Sequence, residues 1–137
     1  MKHRKNKILV VDDEPDVVMM VQKRLEREGY EVVTAPDGKT GLKQAQRHRP
    51  QLILLDIIMP GNDGFGMLRA LKKHRRTAEI PVILVTARSE TDALREGKEC
   101  GAVDYFIKPF EWDLLLAYIK RYLGEEHVSP SGGACAV

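Results

Sequence analysis

The stretch "QLILLDIIMP" (residues 51–60) decides the fold class, because a short apolar run ends there in an acid and a proline. A run of Leu and Ile of this length suits a strand that is buried on both faces, as in parallel sheets. Its single charged residue, Asp56, would be costly to bury without a partner. We therefore expect Asp56 at a strand end that either opens to water or meets a cation.

Four further apolar runs of the same kind lie along the chain, and amphipathic segments with helical spacing separate them. This alternation predicts an α/β fold, with a doubly wound parallel sheet of five strands and helices on both faces. The strand order 2-1-3-4-5 is one of the two common orders at this size. The predicted strands are residues 7–12, 30–35, 51–56, 81–87 and 102–108, and the predicted helices are 15–28, 37–48, 64–74, 90–100 and 111–123.

The bulk composition fits one globular domain. The chain has 137 residues, of which 43% are hydrophobic and 31% charged, and its net charge of +2 is too small to argue for nucleic acid. We therefore expect the basic runs 1–7 and 72–76 to be solvated and the domain to bind no nucleic acid directly. We place the domain at residues 5–124 and a flexible tail or linker stub at 125–137, where Pro, Ser and Gly replace the periodic pattern.

Cysteine usage and hydropathy bear on location. The two cysteines, Cys100 and Cys135, lack the spacing of a metal site or a disulfide framework, which favours a reducing compartment. No apolar run approaches the ~20 residues of a membrane span. We therefore predict a cytoplasmic protein without membrane contact.

Polar side chains stand at the ends of four predicted strands. Asp12 and Asp13 end the first strand, Asp56 the third, Thr86 the fourth and Lys108 the fifth. If these strands are neighbours, the side chains converge on one mouth, where ligands of such sheets bind. Clustered carboxylates need a cation, and oxygen ligands suit Mg²⁺, with Mn²⁺ as a substitute. A carboxylate beside a cation, a lysine and a hydroxyl is well placed to attack phosphorus.

Each of these residues also has an ordinary structural interpretation. Asp12 or Asp13 could cap the helix that starts at Pro15, since caps favour Asp. Taken singly, Asp56 could be a turn residue, Thr86 a strand-end residue and Lys108 a solvated lysine; their joint arrival at four strand ends favours the functional interpretation.

At this point the sequence resembles the receiver domain of two-component response regulators, in its chemotaxis-regulator-like form. The segments that carry the resemblance are "ILVVDDEPDV", "LILLDIIMPGNDGFGML", "PVILVTA" and "DYFIKPF", and it extends over residues 5–123. The resemblance implies the flavodoxin-like receiver fold, which has five strands in the order 2-1-3-4-5.

The resemblance also implies roles for individual residues at the predicted mouth. Asp56 matches the phosphoacceptor. Asp12 and Asp13 match the acidic pair that binds Mg²⁺, and the remaining protein ligand would be the backbone carbonyl of Ile58. Lys108 matches the lysine that pairs with the phosphoryl group. In the loop after the acceptor, Pro60, Gly61 and Gly64 match the family pattern.

Further positions match the switch and the flanks of the site. Thr86 matches the switch hydroxyl, and Tyr105 matches the aromatic ring that moves with it. Ile58 and Arg88 occupy the positions that tune the lifetime of the phosphate, from which we expect slow self-dephosphorylation. The Lys108–Pro109 bond is expected to be cis.

The implied mechanism is Mg²⁺-dependent transfer of a phosphoryl group to Asp56 from the phosphohistidine of a sensor histidine kinase or a phosphotransfer protein. The domain would catalyse its own phosphorylation and dephosphorylation, without turnover of a separate substrate. The face formed by the fourth helix, fifth strand and fifth helix would then bind a downstream target or output domain, or support a phosphorylation-linked homodimer. Phe110 and Trp112, exposed near that face, are candidates for partner contact or packing.

Other functions remain open. The chain could be a phosphate-independent interaction module on the same fold, or the receiver of a longer regulator with a DNA-binding or enzymatic output domain. A phosphohydrolase with an Asp nucleophile is disfavoured, because such enzymes usually carry Asp-x-Asp after the first strand, whereas Asp12, Asp13 and Glu14 stand here.

Overall fold

The computed structural model describes residues 5–59, 62–87 and 91–125, with the backbone alone at 58, 59, 62 and 63. Five parallel strands form one sheet in the order β2-β1-β3-β6-β7, and two short strands pair as an antiparallel hairpin, β4-β5. Counted within the main sheet this is 2-1-3-4-5, so the predicted fold class and strand order are confirmed. The strands are β1 (Lys7–Val11), β2 (Glu31–Ala35), β3 (Leu52–Leu55), β4 (Ile58–Met59), β5 (Asn62–Asp63), β6 (Val82–Thr86) and β7 (Asp104–Ile107).

The five predicted helices are all present, and they pack on both faces of the sheet. One hydrophobic cluster joins one face to the second, third and fourth helices, and another joins the opposite face to the first and fifth. None of the described helices has the length and apolar character that a bilayer crossing requires. The helices are α1 (Pro15–Arg27), α2 (Gly38–His48), α3 (Gly64–Lys73), α4 (Thr91–Glu99) and α5 (Trp112–Tyr122).

The alternation of side chains along the central strands explains this layering. In β1, Ile8 and Val10 belong to the cluster under α1 and α5, whereas Leu9 and Val11 belong to the opposite cluster. Successive side chains of a strand point to opposite faces, so a strand covered on both sides must be apolar throughout. The four residues of β3 are all buried, which confirms the two-sided burial predicted for "QLILLDIIMP".

Differences from the sequence-based expectation lie at the ends of the elements. Each main strand is shorter than its apolar run, and the hairpin β4-β5 was not predicted. The capping alternative for Asp12 and Asp13 is wrong, because the residue at the start of α1 is Glu14 and its side chain makes no cap bond. Instead, Asp12 Oδ1 accepts a hydrogen bond of 3.0 Å from the Glu14 N–H. This turn leaves the second oxygen of Asp12 available to the mouth of the sheet.

Candidate functional site

The sheet itself holds the backbone of three predicted site residues. Asp12 directly follows β1, Asp56 follows β3 and Lys108 follows β7. Their amides still donate to neighbouring strands: Asp12 N–H to Ala35 O at 3.1 Å, Asp56 N–H to Val11 O at 3.0 Å, and Lys108 N–H to Thr86 O at 2.8 Å. The side chains therefore start from fixed points at the carboxyl ends of the strands.

These side chains meet as predicted. Lys108 Nζ donates to Asp12 Oδ2 at 2.9 Å and to Asp56 Oδ2 at 3.1 Å. Both acids are 5% exposed, so each buried charge has a cationic partner, as burial requires. Of the two expectations for Asp56, a strand end open to water or a cationic partner, the structure shows the cationic partner. A third acid, Glu14, lies 3.6 Å from the same ammonium group. Glu14 was not predicted as a contact, although its position next to Asp13 was the available signal.

The carboxylates also form a cluster that can hold a metal ion. One oxygen from each of Asp12, Asp13 and Asp56 lies within 4.8 Å of the others. One lysine cannot balance three acids, and hard divalent cations prefer such oxygen ligands. This donor set therefore fits Mg²⁺, as predicted for the site.

The titration of two groups reflects this crowding. Burial raises the pKa of the Asp12 carboxyl above its usual range, although hydrogen bonds from Lys108 and the Glu14 amide act in the opposite direction. Burial alone would lower the pKa of Lys108, but its bonds to Asp12 and Asp56 outweigh burial and raise it. Lys108 is therefore a permanent cation at neutral pH.

Thr86 and Tyr105 occupy adjacent strands beside the mouth. Thr86 is the last residue of β6 and is fully buried. Tyr105 on β7 pairs in register with Leu84 and packs half-buried against the core cluster of α2, α3 and α4. A Cβ atom added at Gly97 would stand 2.6 Å from Leu84 Cδ1 and 3.4 Å from the Tyr105 ring. Helix α4 therefore lies directly on the two strands that carry the predicted switch.

The loop that follows Asp56 is positioned by a close backbone approach. A Cβ atom at Gly64 would lie 2.4 Å from the Cα of Ile57, so only glycine lets α3 begin there. The backbone of Ile58 forms β4. Pro60, Gly61 and Arg88 lie outside the described residues. The Lys108–Pro109 peptide bond is cis, as expected.

Phe110 and Trp112 are not exposed as expected, and the packing alternative for them is confirmed. Both are half-buried and pack against the cluster under α1 and α5. The rings of Phe110 and Phe106 form a T-shaped pair with 6.5 Å between their centroids. The Arg24 guanidinium carbon lies 5.4 Å from the centroid of the Trp112 ring and covers it. Smaller apolar side chains are exposed on or next to these elements: Val103, just before β7, at 40%, Ile107 on β7 at 41% and Leu114 on α5 at 49%.

The fold and site agree with what the chain resembles. Residues 8–120 match the family model of the response regulator receiver domain. A curated relative is the alkaline phosphatase synthesis transcriptional regulatory protein PhoP of Bacillus subtilis, 39% identical over 123 residues, which are 90% of this chain and 50% of the relative. The response regulator PleD of Caulobacter vibrioides is 44% identical over 83% of this chain and 25% of the relative. This chain thus spans about half the length of the first of these relatives and a quarter of the second.

Two solved structures match this chain over most of its length and over nearly all of their own. The chemotaxis protein CheY4 of Vibrio cholerae is 34% identical, with a TM-score of 0.82 over 87% of this chain and 99% of that one. The receiver domain of the sensor histidine kinase PA1611 of Pseudomonas aeruginosa is 28% identical, with a TM-score of 0.81 over 88% and 99% of the two chains, and holds a magnesium ion in its active site cleft. The match to the family model over most of the chain leads to one conclusion: this chain belongs to the response regulator receiver domain family.

Proposed function

We propose that this receiver domain accepts a phosphoryl group on Asp56 from the phosphohistidine of a sensor histidine kinase or phosphotransfer protein. One observation carries the proposal: the Asp56 carboxylate is buried at a strand end, 3.1 Å from Lys108 Nζ and within a cluster of three acids. A purely structural acid would need one partner, whereas this one shares its cation and lies beside two more carboxylates. The concentration of charge at one mouth is typical of phosphoryl transfer.

The step itself is a displacement at phosphorus. A carboxylate oxygen of Asp56 attacks the phosphorus atom, the phosphorus–nitrogen bond breaks, and the imidazole nitrogen leaves with the bonding electron pair. Aspartyl phosphate is a mixed anhydride, so water can later release the phosphate and restore the carboxylate. Lys108 lies where its ammonium group can accompany the negative charge of the transferred group.

Asp12, Asp13 and Asp56 would hold Mg²⁺, together with the backbone carbonyl of Ile58, and Mn²⁺ would substitute because it accepts the same ligands. The bound ion would supply charge neutralisation for the phosphoryl oxygens. Without it, the acids of this site repel an incoming phosphoryl group, because among the described residues Lys108 is the one cation paired with them. The predicted metal dependence follows from this imbalance.

The signal would leave the mouth through Thr86 and Tyr105. A phosphoryl group adds about −1.5 to −2 charges and three acceptor oxygens, and the Thr86 hydroxyl is the proposed donor to them. Its movement would free space for Tyr105 on the adjacent strand, and α4, which lies on that strand, would follow. The exposed apolar side chains of the α4-β7-α5 face give that face a contact surface. Its occupant would be a target protein, an output domain or a second phosphorylated copy.

The output of the protein is a further part of this proposal. The PhoP relative is a transcriptional regulatory protein, and this chain spans half of it. We therefore favour a longer regulator, with a DNA-binding output domain, as the setting of this receiver. Slow self-dephosphorylation remains a prediction from Ile58 and Arg88; a phosphate lifetime in the fast part of the family range would contradict it.

The test is phosphorylation by acetyl phosphate, with and without Mg²⁺, followed by intact-mass measurement. Wild type is expected to gain one phosphoryl adduct that requires the metal, and Asp56→Asn is expected to gain none. Asp113→Asn, which removes an exposed acid of α5, serves as the matched control and should be labelled like wild type. An unlabelled wild type, or a labelled Asp56→Asn, would overturn the assignment and favour a phosphate-independent interaction module.

A further inference from the structure

The end of the sheet opposite the mouth collects cations. Helices that connect parallel strands run antiparallel to those strands, so α2 and α3 end at the edge of the sheet where the strands begin. Arg47 and Arg49 lie at the end of α2, Lys73 and Arg75 at the end of α3, and Lys5 just before β1. Helices α2 and α3 also contact one another. We call this surface the basic end; it comprises Lys5, Arg47, Arg49, Lys73, Arg75 and Arg76, all of them exposed.

The charges of the basic end are not used within the domain. Within residues 5–59, 62–87 and 91–125, none of the six cations takes part in an ion pair. The nearby acid Glu31 is already engaged, because it pairs with Lys7 at 3.9 Å. The net charge of +2 is a total for the whole chain and is compatible with a local surplus of cations such as this one.

Arg49 is held in a backbone conformation that arginine rarely adopts. Its φ is 47°, in the left-handed region, where its amide closes α2 by donating to Ala45 O. Glycine or asparagine is the usual residue at such a helix end, and a non-glycine residue there is uncommon. The side chain of Arg49 is therefore not explained by the backbone of the turn. Its position projects a cation from the rim of the basic end.

The surface beside Arg49 is concave and lacks apolar side chains. A hollow of about 610 Å³ is lined there by seven polar residues: the acid Glu31, which pairs with Lys7, and six residues that can donate hydrogen bonds. Protein-binding sites usually have an apolar or aromatic centre, and a membrane-binding surface needs apolar side chains to insert. Lysine, arginine, asparagine and glutamine are the side chains that contact nucleic-acid phosphates. The six donors are Lys5, Asn6, Lys7, His48, Arg49 and Gln51.

We propose that the basic end contacts the phosphate backbone of double-stranded DNA without reading its sequence. This goes beyond the proposed phosphoryl transfer and does not depend on it, since the two surfaces lie at opposite ends of the sheet. It also departs from the expectation, based on net charge, that the domain binds no nucleic acid. Such contacts give weak binding on their own, with dissociation constants of roughly 10⁻⁴ to 10⁻⁶ M at physiological salt, and they weaken steeply as salt rises.

The test is fluorescence anisotropy of a labelled mixed-sequence duplex of about 20 base pairs, titrated with the full chain from about 50 to 200 mM salt. The test variant combines Arg49→Asn with Arg75→Gln. Asparagine accepts the left-handed conformation of position 49, so the variant should unfold at a temperature no lower than wild type. We expect wild type to bind and the slope of log K against log salt to decrease by about 2 in the variant, about 1 for each lost cation.

The matched control, Lys23→Gln with Lys39→Gln, removes the same charge from exposed positions on α1 and at the start of α2, neither of which belongs to the basic end. It should retain the wild-type slope. An equal decrease in the control would mean that only overall charge matters, which would overturn the proposal. No binding of the duplex at low salt would also overturn it, and binding of polyglutamate without binding of the duplex would assign the surface to an acidic protein.

Discussion

Carboxylates are held in different ways at the two ends of the sheet. At the mouth, Asp12 and Asp56 share the ammonium group of Lys108. At the opposite end, Glu125 accepts hydrogen bonds from the Tyr30 hydroxyl, at 2.8 Å, and from the Asn6 amide. We call the second arrangement the Glu125 clamp; it fastens the chain after α5 to the residues before β1 and β2.

The partners of each carboxylate decide what it can do. The clamp supplies one acid with two neutral donors, which satisfy its oxygens and leave a single negative charge, too little to hold a divalent cation. Among the described residues, the mouth gathers three acids beside one lysine, and this excess of negative charge can attract a divalent cation and, with it, a phosphoryl group. Burial and hydrogen bonding alone therefore do not distinguish a reactive acid from a structural one. The balance of charge around it does.

The largest expected effect comes from removing the cation of the mouth. Lys108→Met keeps most of the side-chain volume but no charge, and we expect the rate of labelling by acetyl phosphate to fall about 100-fold or more. Lys120→Met is the control, because the Lys120 ammonium group pairs at the surface with Glu28, at 3.5 Å, and lies outside the mouth. A labelling rate of Lys108→Met within a few-fold of wild type would remove the distinction between the two ends.

The next effect concerns the metal. Mg²⁺ at 100 times its dissociation constant should stabilise wild type by about 2.7 kcal/mol, seen as a rise of several degrees in the unfolding temperature. Asp13→Asn should lose most of that rise. In EDTA its unfolding temperature should be at least that of wild type, since the substitution relieves repulsion among the acids. Asp113→Asn should keep the whole rise. The idea fails if Asp13→Asn responds to Mg²⁺ as wild type does.

The clamp should affect stability alone. Tyr30→Phe removes the hydroxyl that donates to Glu125 from a buried ring, and we expect a loss of about 1–2 kcal/mol in the free energy of unfolding by urea. Tyr118→Phe is the control, because the Tyr118 ring packs on Phe106 and supports no hydrogen bond within the described residues. The rate of phosphorylation should be unchanged in both variants; a slower Tyr30→Phe would show that the two ends are coupled.

The smallest effect is a titration at the edge of the sheet. Burial, and then the bond from its hydroxyl to Asp104, raises the pKa of Tyr122 to about 12. Because this value exceeds the ordinary value of 10.0, the stabilisation is complete below about pH 10 and is lost as the pH rises through about 12. The phenolate absorbance of wild type minus that of Tyr122→Phe should therefore appear near pH 12. A titration midpoint of this absorbance near pH 10 would mean that the hydrogen bond from Tyr122 to Asp104 is not formed.

The mouth could be predicted from the sequence because its polar residues directly follow the strands. Apolar runs that alternate with amphipathic helical segments predicted five strands. The carboxyl ends of parallel strands necessarily lie at one edge of the sheet. Asp12, Asp56 and Lys108 could therefore be brought together before any coordinates were known. The basic end follows the same logic, since helix ends share the other edge, but the runs 1–7 and 72–76 were interpreted as solvated and Arg47 and Arg49 were not considered.

Other features depended on tertiary contacts that no local pattern encodes. Phe110 and Trp112 were predicted to be exposed, but both pack against the cluster under α1 and α5, and Arg24 of α1 covers the Trp112 ring. The clamp joins Glu125 to Tyr30 and Asn6 across most of the chain, and Glu125 itself was assigned to the predicted tail. The hairpin after Asp56 has strands of two residues each, which are too short to show a period.

The most direct test of the central claim is to locate the phosphoryl group. The chain would be labelled with acetyl phosphate and Mg²⁺, reduced with borohydride, which converts an aspartyl phosphate to homoserine, and digested for peptide mass spectrometry. The account predicts homoserine at position 56 and aspartate at positions 12 and 13. Homoserine at position 12 or 13, or none at position 56 in a labelled chain, would contradict the claim that Asp56 is the reactive acid of the mouth.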